Sequence, residues 1–227
     1  MPHRIQSGLI EALPNTGFVS SYGLSEAGPC VSVLPPAWAM QKMGSVGLPI
    51  PGTRIAILDE QDLPVTGDQA GEVCVRGPSV MAGYLNNPAA TTRALRGRWL
   101  HTGDIGRLDA EGCLHLAGRR DEMILRGGEN IYPAEVENAL CAHPEVREAA
   151  VVGMPHAVLG HDLAAAVVRM PKCETDDATL RAFCRQQLAA FKVPRQIRFL
   201  DALPKTANGK LDRAALRASW PLQETSL

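Results

Sequence analysis

Leu203-Pro204-Lys205-Thr206-Ala207-Asn208-Gly209-Lys210 is the stretch from which the chain is best read. A proline opens it, Asn208-Gly209 favours a tight turn, and Lys210 stands just past that turn. The arrangement suits a positive charge held at a loop tip. Taken alone, it is also what an ordinary surface hairpin looks like.

Three segments precede it in a fixed order: Tyr22-Gly23-Leu24-Ser25-Glu26, then His101-Thr102-Gly103-Asp104, then Gly118-Arg119-Arg120-Asp121 running into Gly127-Gly128-Glu129-Asn130-Ile131-Tyr132-Pro133. Together the four resemble the adenylate-forming, AMP-binding superfamily, in particular the C-terminal portion of acyl- and aryl-CoA ligases. The resemblance implies an α+β protein: a β-rich, barrel-like subdomain followed by a compact α+β C-terminal lid domain. It also implies an ATP-dependent ligase that makes an acyl-adenylate from a carboxylic acid and then passes the acyl group to CoA. ATP and CoA would be co-substrates and Mg2+ the charge neutraliser. Members of this family carry a Ser/Thr/Gly-rich phosphate loop ahead of the Tyr-Gly-x-Ser/Thr-Glu segment, and none occurs in these 227 residues. The expectation is therefore a chain that is inert alone, that relies on a missing N-terminal region, or that self-associates. An adenylation domain loading a carrier protein is the nearest alternative, although no carrier-like serine motif follows Lys210.

Composition sets the outer limits. Hydrophobic residues make up 45% of the chain, enough for real cores, while aromatics are 4%, so aliphatic packing must dominate. A net charge of −1 gives no electrostatic case for a nucleic-acid partner or an anionic membrane. No stretch approaches the roughly 20 apolar residues of a membrane span. Met1-Pro2-His3-Arg4 opens no apolar signal region. The six cysteines are scattered without a Cys-x-x-Cys pair, which points to reduced, mostly buried thiols in a cytoplasmic protein. No His-Glu-x-x-His pattern occurs, and a zinc site is not expected.

Along the chain, 1–120 reads as short strands cut by Gly and Pro: Phe18–Ser21, Thr53–Leu58, Gly71–Arg76 and Cys113–Leu116, with one helix over Asn87–Leu95. The texture changes at Arg120–Glu122, and 121–227 reads as a small α+β domain. Its helices are predicted over Pro133–Ala142, Asp176–Ala190 and Leu211–Ser219, and its strands over Val146–Gly153, Leu163–Arg169 and Arg195–Leu200.

The resemblance assigns roles residue by residue. Glu26 would hold the metal, with Ser25 beside it contacting phosphate or acyl oxygen. Tyr22, followed by Gly23, would stack on adenine. Asp104 would accept both hydroxyls of the ribose, a bidentate task suited to a carboxylate, with Thr102 and Gly103 as loop-shaping residues. Arg119 would reach ribose or phosphate, Arg120 reads as a solvated neighbour, and Asp121 would be the hinge. Gly127 and Gly128 would lie beside the pantetheine arm of CoA. Gly83-Tyr84 reads as structural. Lys210 would enter the site for adenylation only, while Lys205 reads as a surface charge. For each, the plain alternative is a turn or a solvated side chain. The acid itself is not legible.

Overall fold

The sheet of the first half has more strands than its Gly and Pro punctuation suggests, and the longest of them runs through two glycines. In the computed structural model, which describes residues 3–65 and 67–220, two compact units follow each other along the chain. The first runs from His3 to Asp121 and the second starts at Glu122.

The first unit opens with helix α1 (His3–Ala12), followed by β1 (Ser20–Leu24), β2 (Gly28–Leu34), β3 (Ser45–Pro49), β4 (Arg54–Leu58) and β5 (Gly71–Arg76). Helix α2 (Pro88–Ala94), β6 (Leu95–Arg96), β7 (Trp99–Leu108) and β8 (Leu114–Arg119) complete it. The strands form one sheet in the order β1-β2-β3-β8-β7-β5-β4, with β6 paired to β7, and every pair is antiparallel. Tyr22 on β1 and Ile57 on β4, from opposite ends of that order, belong to the same apolar core as Val31, Val73, Val75, Leu100 and Leu114. Helix α2 buries no residue. The sheet therefore covers its own apolar face, as a barrel-like layer must.

Several sequence expectations are corrected here. Pairing of β1 starts at Ser20 rather than Phe18, and Val19 is exposed. Strands β2, β3 and β7 and helix α1 were not anticipated. Their Gly and Pro residues read as breakers, yet sit at strand ends and bulges. Gly47 is the clearest case. It takes φ +83°, and a Cβ there would lie 2.0 Å from the Val33 carbonyl carbon. The pairing register of β3 on β8 shifts at this residue, and β3 is the strand that joins β2 to β8.

The second unit contains β9 (Ile124–Arg126), β10 (Glu129–Ile131), α3 (Pro133–Cys141), β11 (Val146–His156), β12 (Gly160–Arg169), α4 (Asp177–Arg185), β13 (Gln196–Phe199) and α5 (Arg213–Ala218). Its sheet runs β10-β9-β12-β11, with β13 parallel to β12. Alternation along β11 and β12 is apolar on both faces. Val151, Leu163, Ala165 and Val167 pack with α3 and α4 residues Val136, Leu140, Leu180 and Cys184. Ala150, Val152, Ala164, Ala166 and Val168 pack with Leu216 and Trp220 at α5. The Val- and Ala-rich runs are thus buried strands, as their composition predicts. Helix α4 is shorter than expected. Asp176 caps it by accepting the Thr179 N–H at 2.8 Å, but bonds three residues back, from Gln186 N to Phe183 O and Gln187 N to Cys184 O, close its last turn.

Substituting Gly47→Ala should cost more than about 2 kcal/mol, because both the left-handed backbone and the contact with β2 would be violated. The midpoint of chemical denaturation checks this; an unchanged midpoint would mean that β3 can shift freely.

Candidate functional site

Strand β7 carries the first half of the site. Thr102-Gly103-Asp104 lies inside this strand, not in a loop as expected from the sequence. Gly103 takes φ +73° and produces a bulge against β5, where the pairing register shifts. A Cβ on Gly103 would come within 3.3 Å of the Arg119 guanidinium. Side chains fix the bulge on both sides. Thr102 Oγ1 donates to Val73 O at 2.7 Å and accepts the Asp104 N–H at 3.1 Å. The Gly103 N–H is donated to Glu72 Oε1 at 3.1 Å.

The bulge aims Asp104 at its partners. Oδ2 accepts a hydrogen bond from the Tyr22 hydroxyl, and Oδ1 accepts one from Arg119 Nη1 at 3.2 Å. Arg119 is the residue paired with Asp104 across β7 and β8, and it also donates to Thr102 O at 3.2 Å and to Asp121 Oδ1 at 3.2 Å. Burial, together with the Asp104 hydrogen bond, pushes the Tyr22 phenol far above its ordinary value. Tyr22 is only 8% exposed, so the stacking surface it offers is small. What its geometry supports directly is the orientation of Asp104. The Asp104 side chain is 15% exposed, and a carboxylate keeps accepting capacity beyond these two bonds.

Ser25 and Glu26 stand at the turn between β1 and β2, Ser25 exposed and Glu26 half-buried. Glu26 Oε1 accepts the Tyr84 hydroxyl at 2.8 Å. That hydrogen bond raises the Tyr84 phenol above its ordinary value. Tyr84 was read as structural, and the structure adds it to the site. Its sequence signal is the pair Gly83-Tyr84 followed by Pro88 and Thr92, a pattern that the family resemblance shares and that reads as a turn and a helix start. Gly23 needs no ligand to explain it: a Cβ there would lie 2.2 Å from Pro29 O. The structure thus brings Tyr22, Glu26 with Tyr84, and Asp104 with Arg119 onto neighbouring ends of one sheet.

The remaining expected residues belong to the second unit. Gly127 and Gly128 form the β9–β10 turn with φ +59° and +91°, and the Gly127 N–H is donated to Leu159 O at 2.9 Å. A Cβ on Gly128 would meet nothing within 4 Å, so the turn is open on that side. Lys210 is exposed at a hairpin tip, where its carbonyl accepts the Thr206 N–H at 2.8 Å.

Glu72, on β5, was missed. Its side chain is 4% exposed, an acidic residue inside an otherwise apolar run, and that misfit was the available signal. Besides the Gly103 N–H, it pairs with His101 Nδ1 at 3.0 Å and with Arg120 Nη1 at 3.3 Å. Arg120 is exposed, as expected of a solvated neighbour, and in addition reaches this buried carboxylate. Glu72, Cys74 and His101 also place three potential metal-donor atoms within 4.8 Å of one another, a grouping across strands that spacing in the sequence cannot reveal. Arg96 and Arg120 already face Glu72, and Arg96 also binds Asp62. Two carboxylates therefore meet two guanidiniums, and a divalent cation would leave excess positive charge in a buried place. The cluster reads as an ion-pair network.

Two family descriptions match the chain: AMP-binding enzyme over residues 1–85, and AMP-binding enzyme C-terminal domain over residues 135–210. A 2-succinylbenzoate–CoA ligase of Geobacillus kaustophilus is 42% identical over 95% of this chain and 44% of its own length. A long-chain-fatty-acid–CoA ligase of Escherichia coli O157:H7 is 43% identical over 88% of this chain and 35% of its own length. Among solved structures, the amide bond synthetase McbA of Marinactinospora thermotolerans superposes with TM-score 0.89 at 35% identity, over 96% of this chain and 45% of that one. The chain spans less than half the length of each.

The packing around Cys74 yields a simple test. Burial, then the nearby Glu72 charge, push its thiol up to about 12, and Cys113, Cys141 and Cys184 are buried as well. Alkylation of the folded chain near pH 8 should modify no cysteine beyond Cys30 and Cys173, which mapping by mass spectrometry would read. Rapid labelling of Cys74 would contradict the closed network.

Proposed function

The chain belongs to the AMP-binding enzymes, and on that premise we propose that it forms part of an ATP-dependent carboxylic acid–CoA ligase. The observation that carries this reading is the Tyr22–Asp104–Arg119 network beside Glu26 in one unit, with an exposed lysine at a hairpin tip in the other. The first half-reaction joins a carboxylate to the α-phosphate of ATP and releases pyrophosphate. The second transfers the acyl group to the CoA thiol and releases AMP.

In the first half-reaction, Asp104 accepts hydrogen bonds from the ribose hydroxyls, and Arg119 and Tyr22 hold its carboxylate in place. Arg119 is 47% exposed at its side chain and has donors left for ribose or phosphate oxygen. Glu26 uses Oε1 for its Tyr84 bond, and its carboxylate keeps accepting capacity that fits magnesium, which usually takes one or two carboxylates and otherwise phosphate oxygens and water. When bound, the ion would neutralise phosphate charge. Ser25 offers a hydroxyl to phosphate or acyl oxygen. Lys210 supplies a point charge where negative charge builds up on the reacting oxygens. In the second half-reaction, the open Gly127-Gly128 turn lets a thin chain such as pantetheine pass close to backbone, and Asp121 is the hinge.

The acyl acceptor separates this from a second reading. Similarity to an amide bond synthetase favours testing amines beside CoA, with the same adenylating residues.

Changing Lys210→Ala in the full-length protein should lower acyl-adenylate formation by about 10²–10³-fold and spare thioester formation from supplied acyl-adenylate. Pyrophosphate release and thioester assays read the two steps, and equal losses in both would refute the role. Asp104→Ala should weaken AMP binding at least about tenfold, the scale of a charge-assisted hydrogen bond. Titration calorimetry would measure that, and unchanged affinity would remove Asp104 from the site.

A further inference from the structure

Arg213 stands three residues beyond Lys210, at the first position of α5. Its side chain is 19% exposed, and it uses every nitrogen it has. Nη1 and Nη2 donate to the two carboxylate oxygens of Glu137 on α3, at 2.5 and 3.2 Å. Nη1 also donates to Val151 O on β11 at 3.0 Å. Nε pairs with Glu122 Oε2 at 3.2 Å. Glu137 is held from its other side too, because its Oε1 accepts the Val151 N–H at 2.8 Å. One guanidinium therefore ties three things together: the first residue of the second unit, the α3–β11 layer, and the base of the lysine hairpin.

Apart from Arg213, the hairpin is held by Leu203 and Leu211 at its two ends, which pack in the α5 core, and by Lys205, which pairs with Glu148 at 3.8 Å. Every residue from Lys205 to Lys210 is exposed. Its internal bonds are between backbone groups: Thr206 N to Lys210 O at 2.8 Å, Gly209 N to Thr206 O at 2.8 Å, and Asp212 N to Pro204 O at 2.9 Å. These give the loop its shape. Where the loop stands on the unit is set at its base, by Leu203, Leu211, α5 and Arg213.

The residues on either side of Asp121 strengthen the case. Arg120 is held to buried Glu72 in the first unit at 3.3 Å, and Glu122 is held to Arg213 in the second. Asp121 lies between these two anchored residues with its side chain 73% exposed, bonded to Arg119. Asp121 is the middle residue of the single 3-10 turn Arg120–Glu122.

We propose that Arg213 is a positioning residue for Lys210. It locks the base of the lysine hairpin to Glu122, so that the start of the second unit and the lysine tip form one rigid piece pivoting at Asp121. The inference rests on the reading of Lys210 as the adenylating lysine. A lysine at position 213 could not replace it, since a single ammonium cannot bond two carboxylates and a carbonyl in the fork geometry seen here. Displacement of a reacting group by about 1 Å can cost about 10²-fold in rate.

The test compares Arg213→Lys, Glu122→Gln and Lys210→Ala in the full-length protein, reading ATP–pyrophosphate exchange, thioester formation from supplied acyl-adenylate, and amide hydrogen exchange. Arg213→Lys and Glu122→Gln should each lower pyrophosphate exchange by about 10- to 100-fold and leave thioester formation unchanged. Arg213→Lys should also speed hydrogen exchange at Thr206, Gly209 and Asp212 while the β12 amides keep their protection. Equal losses in both half-reactions, or unaltered exchange at the three hairpin amides, would overturn the proposal. Glu122→Gln keeps the Arg213–Glu137 bonds, so it decides the matter should Arg213→Lys not fold; wild-type pyrophosphate exchange in Glu122→Gln would refute the coupling. If Lys210→Ala retains pyrophosphate exchange, the reading of the site fails instead, and the hydrogen-exchange arm still judges the anchoring.

Discussion

The carboxylate of Glu72 governs the first unit's site. A buried charge is tolerated only when bonded on all sides, and this one meets the Gly103 N–H, His101 and two arginines. The Gly103 bond holds the bulge in β7, and the bulge turns Asp104 toward Tyr22 and Arg119. Without the buried carboxylate, the Gly103 N–H would lose its partner, and the Thr102 hydroxyl bonds would have to hold the bulge. The same oxygen that receives His101 also receives Arg120, so the end of the first unit is tied to the strand that shapes its site.

The second unit solves a different problem. It must hold a solvent-facing lysine in a definite place without burying it. A sheet apolar on both faces supplies a stiff support, and a short helix on one face carries the hairpin at its N-terminal end. Stiffness at the base and exposure at the tip are compatible because the buried contacts belong to Leu203, Leu211, Leu216, Trp220 and Arg213, all outside the exposed stretch from Lys205 to Lys210.

Much of this was legible in the residues. The Val/Ala runs of β11 and β12, the Asp176 cap of α4 and Pro133 at the start of α3 follow from periodicity and capping rules. The residues change texture near Asp121, where the first compact unit ends. Three things were hidden, each for a physical reason. Glycines such as Gly47 and Gly103 sit inside strands because tertiary pairing overrides their local preference for turns. Glu72 joins His101, Arg96 and Arg120, which are far from it in sequence, so only the fold reveals the network. Tyr84 reaches Glu26 across 58 positions, a contact that no local pattern encodes.

Strand β3 has one more implication, for how the chain acquires its structure. Its bond from Ser45 to Leu114 links residues 69 positions apart, so the first unit's sheet cannot close until nearly all of that unit has been synthesised. The hairpin of β11 and β12, by contrast, pairs neighbours in sequence. Pairing can therefore start early in the second unit, yet that unit too is completed late, because Arg213 reaches Glu137 76 positions back, so each unit waits for its last segment before its packing closes.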